Sequence, residues 1–418
     1  LNLPETQFLR DLTPDGRLLF ATRIARLFAY GFLSVVLVLY LVEARLSGSQ
    51  IGLLLTLTLV GDTLISLWMT TRADRLGRRR MLIGGAALML FAGLLFALTQ
   101  NFFLLVVAAT IGVISPSGNE VGPFLSIEQA ALSQIVSRAE RTQAFAWYNL
   151  LGSVATALGA LSGGVLAQAS QQMGMPSLDS YRVIVIGYAA MGILLGALFL
   201  RLSPAVETPI SPSKPSPSDW IERGLGLGSS KRVVLNLSAL FALDAFAGGF
   251  VVQSILAYWF SVKFGVSPAI LGSIFFGANL LAGLSALTAA RVAARIGLIN
   301  TMVVTHIPSN ILLMLVPLMP NLPLAITLLL LRFSISQMDV PARQSYTMAV
   351  VSPEERSAAA GVTGVARTLG ASAAPLFAAP LILNAVWLSA PFFIAGALKI
   401  VYDLALYFNF RAAKEEIK

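Results

Sequence analysis

Cysteine is absent from all 418 residues, histidine occurs once, and charge is scarce. Without cysteine there is no disulfide and no thiolate metal site. One imidazole, His306, is too few for a protein-only zinc centre, and nothing implies a cofactor. Asp, Glu, Lys and Arg make up 12% of the chain, about half the roughly 25% of a soluble domain. A soluble fold of this composition would leave a large apolar surface in water. No Walker-type phosphate loop (Gly, four residues, Gly-Lys-Ser/Thr) occurs, which argues against ATP hydrolysis. No nucleophile, base and orienting group stand at a recognisable spacing, so an enzyme is the least supported class.

What is present is apolar: 56% hydrophobic residues and a mean hydropathy of +0.79. A transmembrane helix needs about 20 such residues. Suitable runs fall at 18–42, 49–71, 80–98, 102–136, 140–168 and 180–201, then at 233–261, 267–289, 298–319, 322–349, 356–384 and 388–410. Between the sets, 202–231 carries five prolines and many serines, the composition of a flexible connector. The expected architecture is an all-α membrane protein of twelve transmembrane helices. Residues 1–201 form an N-terminal six-helix bundle, 202–231 a cytoplasmic linker and 232–418 a C-terminal six-helix bundle. Residues 1–17 lack the charged and apolar regions of a signal peptide, and a start at Leu1 is that expected of a trimmed chain.

Lys and Arg set the orientation, because cytoplasmic loops collect them. With both termini in the cytoplasm, 20 of the 29 basic residues lie on that side, from Arg10 to Lys418. Only Arg45, Arg182 and Lys263 lie opposite, and the remaining six fall within spans. This asymmetry predicts an even number of spans and accounts for the net charge of +9 without nucleic acid. The expected setting is multi-pass in the inner cell membrane, as a monomer in a lipid bilayer.

The halves repeat one another. Ala73-Asp74-Arg75-Leu76-Gly77-Arg78 after the second span is answered by Ala293-Ala294-Arg295-Ile296-Gly297-Leu298 after the eighth, at an offset of 220. Glu140-Arg141 matches Glu355-Arg356 at an offset of 215. Duplicated six-helix halves are a known transporter plan.

The stretch from Thr70 to Arg79 resembles the loop motif between helices two and three of the major facilitator superfamily, bacterial type. Asp74, Arg75, Gly77 and Arg78 stand at motif positions, while Thr70 replaces the usual leading glycine. With twelve spans and a central linker, the resemblance covers essentially the whole chain. It implies a secondary transporter and is nearly silent on substrate. It also implies that Asp74 sits near the N-terminus of helix eleven, which starts near Arg356. There the helix dipole favours a carboxylate by about 0.3–1 kcal/mol and the contact closes a cytoplasmic gate. The plainer reading is a topology-setting loop, with Gly77 permitting the turn and the arginines anchoring it to the inner face. Gly159 to Gly164 resembles the family's antiporter motif in helix five, with alanine where proline is usual; close helix packing is the simpler account.

Ionisable residues inside a span cost about 2.5–3.5 kcal/mol each, so they should face the interior and find partners. Arg23, Arg26, Asp62, Glu128, Asp244, Asp339, Arg343 and Arg367 are of this kind. The repeat aligns Arg26 with Asp244 and Glu128 with Arg343, so opposite charges occupy equivalent positions. The resemblance places these four on cavity-lining helices one, four, seven and ten. Arg26, Asp62, Glu128, Asp244, Gln337, Asp339, Arg343 and Arg367 are therefore candidates for a solute and proton cavity. Static pairing is the alternative, especially for Asp339 and Arg343, four apart around Pro341. Arg23, nearer the cytoplasmic end, is expected to snorkel. Asp62 lies 12 residues before the loop residue Asp74, and Asp244 about 11 residues into the seventh span, about 16–18 Å in each case and thus near the midplane. A carboxyl out of water holds its proton more readily, which makes both candidate proton carriers unless an arginine pairs tightly with them. Arg367 reads equally as an anion ligand or as a neutraliser of a carboxylate. His306, on the ninth span and peripheral in the family, reads as a hydrogen-bonded structural histidine.

The offset between halves falls from 220 to 215, so five extra residues lie between Gly77 and Arg141. Segment 114–123 holds two prolines and two glycines, which interrupt a helix. Irregular backbone at membrane depth survives only where protein or a wet cavity satisfies it. Residues 115–123 are therefore expected to unwind and present Asn119 and Glu120 to solute; a simple proline kink is the alternative. The leading functional expectation is a proton-coupled carrier of a small organic solute by alternating access, with efflux favoured. An organic-anion or phosphate-ester exchanger using Arg26, Arg343 and Arg367, and a lipid flippase, are the other readings.

Overall fold

The computed structural model describes residues 12–410, apart from 121, 138–139, 208–226, 229 and 353–354. Most of the linker 202–231 thus lies outside the described residues. The described residues are helical, without strands. In the N-terminal half the helices are α1 (Pro14–Ser34), α2 (Leu37–Glu43), α3 (Gly48–Leu76), α4 (Arg78–Leu98), α5 (Phe102–Ile111), α6 (Phe124–Ile135), α7 (Arg141–Gln172) and α8 (Ser177–Phe199). In the C-terminal half they are α9 (Lys231–Gly249), α10 (Gln253–Phe264), α11 (Pro268–Ile296), α12 (Leu298–Leu315), α13 (Leu322–Ile335), α14 (Asp339–Ala349), α15 (Arg356–Ile382) and α16 (Ala390–Phe410).

Among the described residues, ten helical segments are long and apolar enough to cross a membrane, and α1 with α2, bent by 43°, makes an eleventh. The fourth expected span, 102–136, is occupied by α5 and α6 on either side of a non-helical stretch. Helix starts follow from local chemistry. Thr13 accepts the Gly16 N–H at 3.1 Å ahead of Pro14, and Asn101 and Asn321 accept first-turn N–H groups of α5 and α13, each satisfying donors that have no partner within the helix.

The chain forms two compact units. One comprises Leu1–Leu46, Val60–Ser213 and Gly265–Phe276; the other Ser47–Leu59, Lys214–Phe264 and Gly277–Lys418. Their internal packing repeats. In the first, α1 lies against α7 and α8, and α4 against α8; in the second, α9 lies against α15 and α16, and α12 against α16. Glycine permits the tightest of these crossings. A Cβ on Gly159 would stand 2.0 Å from the Phe28 carbonyl oxygen, and one on Gly370 2.2 Å from that of Ala242. Gly159, within the glycine-rich stretch of helix five, is thus a packing residue. The repeated loop is also built alike, with Gly77 at φ 101° and Gly297 at φ 85°, left-handed values that side-chain-bearing residues avoid.

Two departures from the sequence reading concern helix continuity. The first and seventh spans break after Ser34 and after Gly249, with no proline in the chain to announce either. The tenth span, expected as one run over 322–349, is interrupted at Ser336–Met338. Pro341 lacks the N–H that would bond Gln337, so the turn just before it loosens.

Candidate functional site

The N-terminal unit buries an ion-pair cluster around Arg26, which is fully enclosed. Its Nη1 and Nη2 donate to Glu128 Oε1 and Oε2 at 2.8 and 2.6 Å, and its Nε donates to Glu120 Oε1 at 2.8 Å. Glu128, also fully buried, accepts in addition from the Thr22 hydroxyl at 2.7 Å and from the Tyr148 hydroxyl. Arg23 donates to Glu120 Oε2 and lies 4.7 Å over the Tyr148 ring. It is buried rather than snorkelling: Glu120 and Tyr148 give its charge a partner inside, so it has no need to reach water. Two arginines therefore face two glutamates, and the cluster is electrically balanced.

The C-terminal unit carries the same device with the signs exchanged. Asp244 of α9 stands at the centre. Its Oδ2 accepts from Arg343 Nη1 at 3.0 Å and faces Arg367 Nη1 at 3.4 Å. Its Oδ1 accepts from Lys399 Nζ at 2.5 Å and faces His306 Nε2 at 3.8 Å. Arg343 also bonds Asp339 at 3.1 Å, the i,i+4 pair anticipated from their spacing. Beyond the imidazole, Asp403 of α16 faces His306 Nδ1 at 2.8 Å and accepts from Asn310 at 3.1 Å. The aligned positions therefore pair within each half: Arg26 with Glu128, and Asp244 with Arg343. Each pair even has an aromatic companion, with Phe124 4.7 Å from the Arg26 guanidinium and Phe241 5.5 Å from that of Arg343.

Sequence reasoning missed Lys399 and Asp403. Both lie inside the twelfth span, four residues apart and hence on one helix face. The rule that flagged the other embedded charges would have flagged them. Arg332 of α13 was passed over in the same way. Its Nε is buried without a hydrogen-bond partner among the described residues.

Asp62 differs from every other embedded carboxylate described here. It is 9% exposed, and no cation pairs with it among the described residues. Its Oδ1 has no hydrogen-bond partner, and the backbone of Gly122, at the end of the helix break, supplies a hydrogen bond to the carboxyl.

The break itself runs from Gly112 to Pro123, three residues longer than expected at its start. Gly118 and Gly122 take φ of 72° and 82°. Protein side chains satisfy the freed carbonyls: the Tyr188 hydroxyl donates to Val113, and Ser115 Oγ to Asn119 at 2.7 Å. Asn119 is exposed, while Glu120 turns inward to Arg23 and Arg26. Gln337 is half-buried, its N–H 3.4 Å from Ser285 Oγ.

At the loop after α3, Arg78 bonds Asp74 at 2.9 Å and Gln134 at 2.8 Å, while Arg75 is exposed. Glu207, at the start of the linker, accepts the N–H groups of Arg78 and Arg79 at 2.6 and 3.2 Å. This carboxylate caps α4 where the helix dipole favours it.

Comparison with known proteins fits this architecture. Residues 19–375 match the family model of the Major Facilitator Superfamily. An uncharacterized membrane protein of Saccharomyces cerevisiae, YJR124C, is 32% identical over 97% of this chain and 96% of its own length. Quinolone resistance protein NorA of Staphylococcus aureus is 27% identical over 34% of this chain and 36% of NorA. Among solved structures, a point mutant of nucleoside transporter NupG superposes with a TM-score of 0.75 at 14% identity, covering 95% of this chain and all of NupG's. A D-xylose-proton symporter gives 0.72 at 15% identity, covering 94% and 97%. Family model, full-length relative and shared fold agree: the chain belongs to the Major Facilitator Superfamily and is a multi-pass membrane transporter, not an enzyme.

Proposed function

We propose that this chain is a proton-coupled secondary transporter of a small organic solute, working by alternating access with efflux as its favoured direction, in a cell membrane with both termini cytoplasmic. One observation carries the coupling: Asp62, midway along α3, is buried without a cationic partner among the described residues. An ionised carboxyl left alone out of water costs several kcal/mol, and a proton is the smallest ion that removes the cost. Asp244, the other carrier suggested by depth, is surrounded by Arg343, Arg367 and Lys399. Those cations already neutralise it, so we assign it a pairing role and Asp62 the coupling proton. Partial similarity to a quinolone resistance protein fits the efflux direction.

The test is transport in proteoliposomes, with solutes drawn from a thermal-shift screen at two pH values, since ligands stabilise the form they bind. Wild-type protein accumulates solute against its gradient when a pH difference is imposed. Asp62→Asn loses that accumulation and keeps solute exchange at equal concentrations. Accumulation by Asp62→Asn equal to wild type overturns the reading.

A second reading, an organic-anion carrier, is favoured by Arg332, whose buried Nε has no partner. Strict counter-exchange, indifferent to a pH difference, distinguishes it from proton coupling.

A further inference from the structure

The two buried clusters differ in one respect. The N-terminal one is complete with two arginines and two glutamates. The C-terminal one has a titratable ring, His306, set between two carboxylates. Nδ1 faces Asp403 Oδ1 at 2.8 Å and Nε2 faces Asp244 Oδ1 at 3.8 Å. The ring is 5% exposed and Asp403 is fully buried. A neutral imidazole has one N–H and one lone pair. With the N–H on Nδ1, a lone pair points toward the Asp244 carboxylate. With the N–H on Nε2, a lone pair points toward the Asp403 carboxylate at hydrogen-bond distance. An added proton on the ring removes the conflict in either case.

We propose that the His306–Asp403 pair is a proton-binding site of the C-terminal half, separate from Asp62 and loaded or emptied according to which cation holds Asp244. The switch lies at a single atom. Lys399 and His306 both address Asp244 Oδ1, whereas Arg343 and Arg367 address Oδ2. When Lys399 holds Oδ1, as here, His306 is left at 3.8 Å; when Lys399 withdraws, the protonated ring replaces it.

The charged and titratable groups around the ring come from every neighbouring element. From α16 there are Asp403, Lys399 and the edge of the Tyr402 ring, 5.9 Å away between centroids. Asp244 comes from α9 and Arg367 from α15. From α14 come Arg343 and Asp339, and α13, also packed on α12, carries Arg332. The lysine, three arginines and three carboxylates of this set leave one positive charge in excess, apart from the ring. Arg367, its side chain 35% exposed, carries that excess nearest to the surface. Around the pair, Ser309 Oγ and Asn310 Oδ1 are buried without hydrogen-bond partners among the described residues. Polar atoms in that condition suit ordered water, through which a proton reaches Asp403.

Because His306 is the sole histidine of the chain, its ring nitrogens give the only imidazole signals in protein labelled with nitrogen-15 histidine. Solid-state NMR of the full chain in lipid nanodiscs reads their protonation directly, without any transport assay or identified solute. The expected result is a single transition between a doubly and a singly protonated ring within about pH 5 to 8. In Asp403→Asn the midpoint moves toward acid by about one pH unit or more, because the carboxylate partner of the imidazolium is gone. Asp62→Asn leaves the midpoint in place, which keeps this site distinct from the coupling carboxyl. A wild-type ring that stays neutral, or stays doubly protonated, throughout that range overturns the proposal. So does a transition that Asp403→Asn does not move.

Discussion

The most exacting stability prediction concerns Glu128. Its two oxygens accept from Arg26 Nη1 and Nη2, the Thr22 hydroxyl and the Tyr148 hydroxyl, and both Arg26 and Glu128 are fully buried. Replacing Glu128 by leucine leaves a guanidinium out of water with only Glu120 opposite, and the Tyr148 hydroxyl without its acceptor, while Thr22 keeps the Leu19 carbonyl at 3.0 Å. Breaking a buried pair from one side costs about 3–5 kcal/mol, and the orphaned hydroxyl adds about 1–3 kcal/mol. A destabilisation of at least about 4 kcal/mol follows, on the conservative side of those ranges. Removing both charges, in Arg26→Met with Glu128→Leu, relieves the uncompensated cation and recovers about half of the loss or more, because a well-packed apolar pair is often no worse than a buried ion pair. The assay is thermal unfolding in detergent, with expression level and monodispersity followed in parallel. A Glu128→Leu protein that melts within about 2 °C of wild type, where 1 kcal/mol corresponds to about 2–4 °C for a unit of this size, would refute the reasoning. So would a double variant less stable than the single one.

Three further outcomes follow from the geometry. Gly61→Ala places a Cβ 1.8 Å from the Thr110 carbonyl oxygen; α3 must move from α5, and folded yield drops sharply on size-exclusion chromatography. Glu207→Gln weakens the cap on α4 by about 0.3–1 kcal/mol, seen as faster hydrogen exchange at the Arg78 and Arg79 amides with little change in melting temperature. Lys399→Met leaves Asp244 Oδ1 to His306 alone and moves the His306 transition toward alkaline pH in the NMR titration.

How much of this was written in the sequence can be judged residue by residue. The apolar spans and the internal repeat were legible because bilayer length and hydropathy leave few alternatives. The interruption at 115–123 was legible because proline and glycine act locally, wherever the chain goes; its extension back to Gly112 was not. The breaks after Ser34 and Gly249 were not, since no proline marks either of them. At the candidate site, the exchange of charge between halves was visible as Arg26 opposite Asp244 and Glu128 opposite Arg343. That each pair closes within its own half required coordinates, because sequence offsets relate equivalent positions and say nothing of neighbours. His306 was read as structural because ninth helices are peripheral in this family. Asp403 and Asp244 approach it from two different helices, a convergence no local pattern contains. The isolation of Asp62 is likewise a property of everything around it.

The central claim is that solute movement is tied to a proton carried on Asp62. It is tested most directly by sealing a pH-sensitive dye inside proteoliposomes and imposing only a solute gradient. Wild-type protein should drive a proton flux that the dye reports, sensitive to a protonophore, while Asp62→Asn moves solute without it. A solute flux through wild-type protein that leaves the internal pH unchanged would contradict the account.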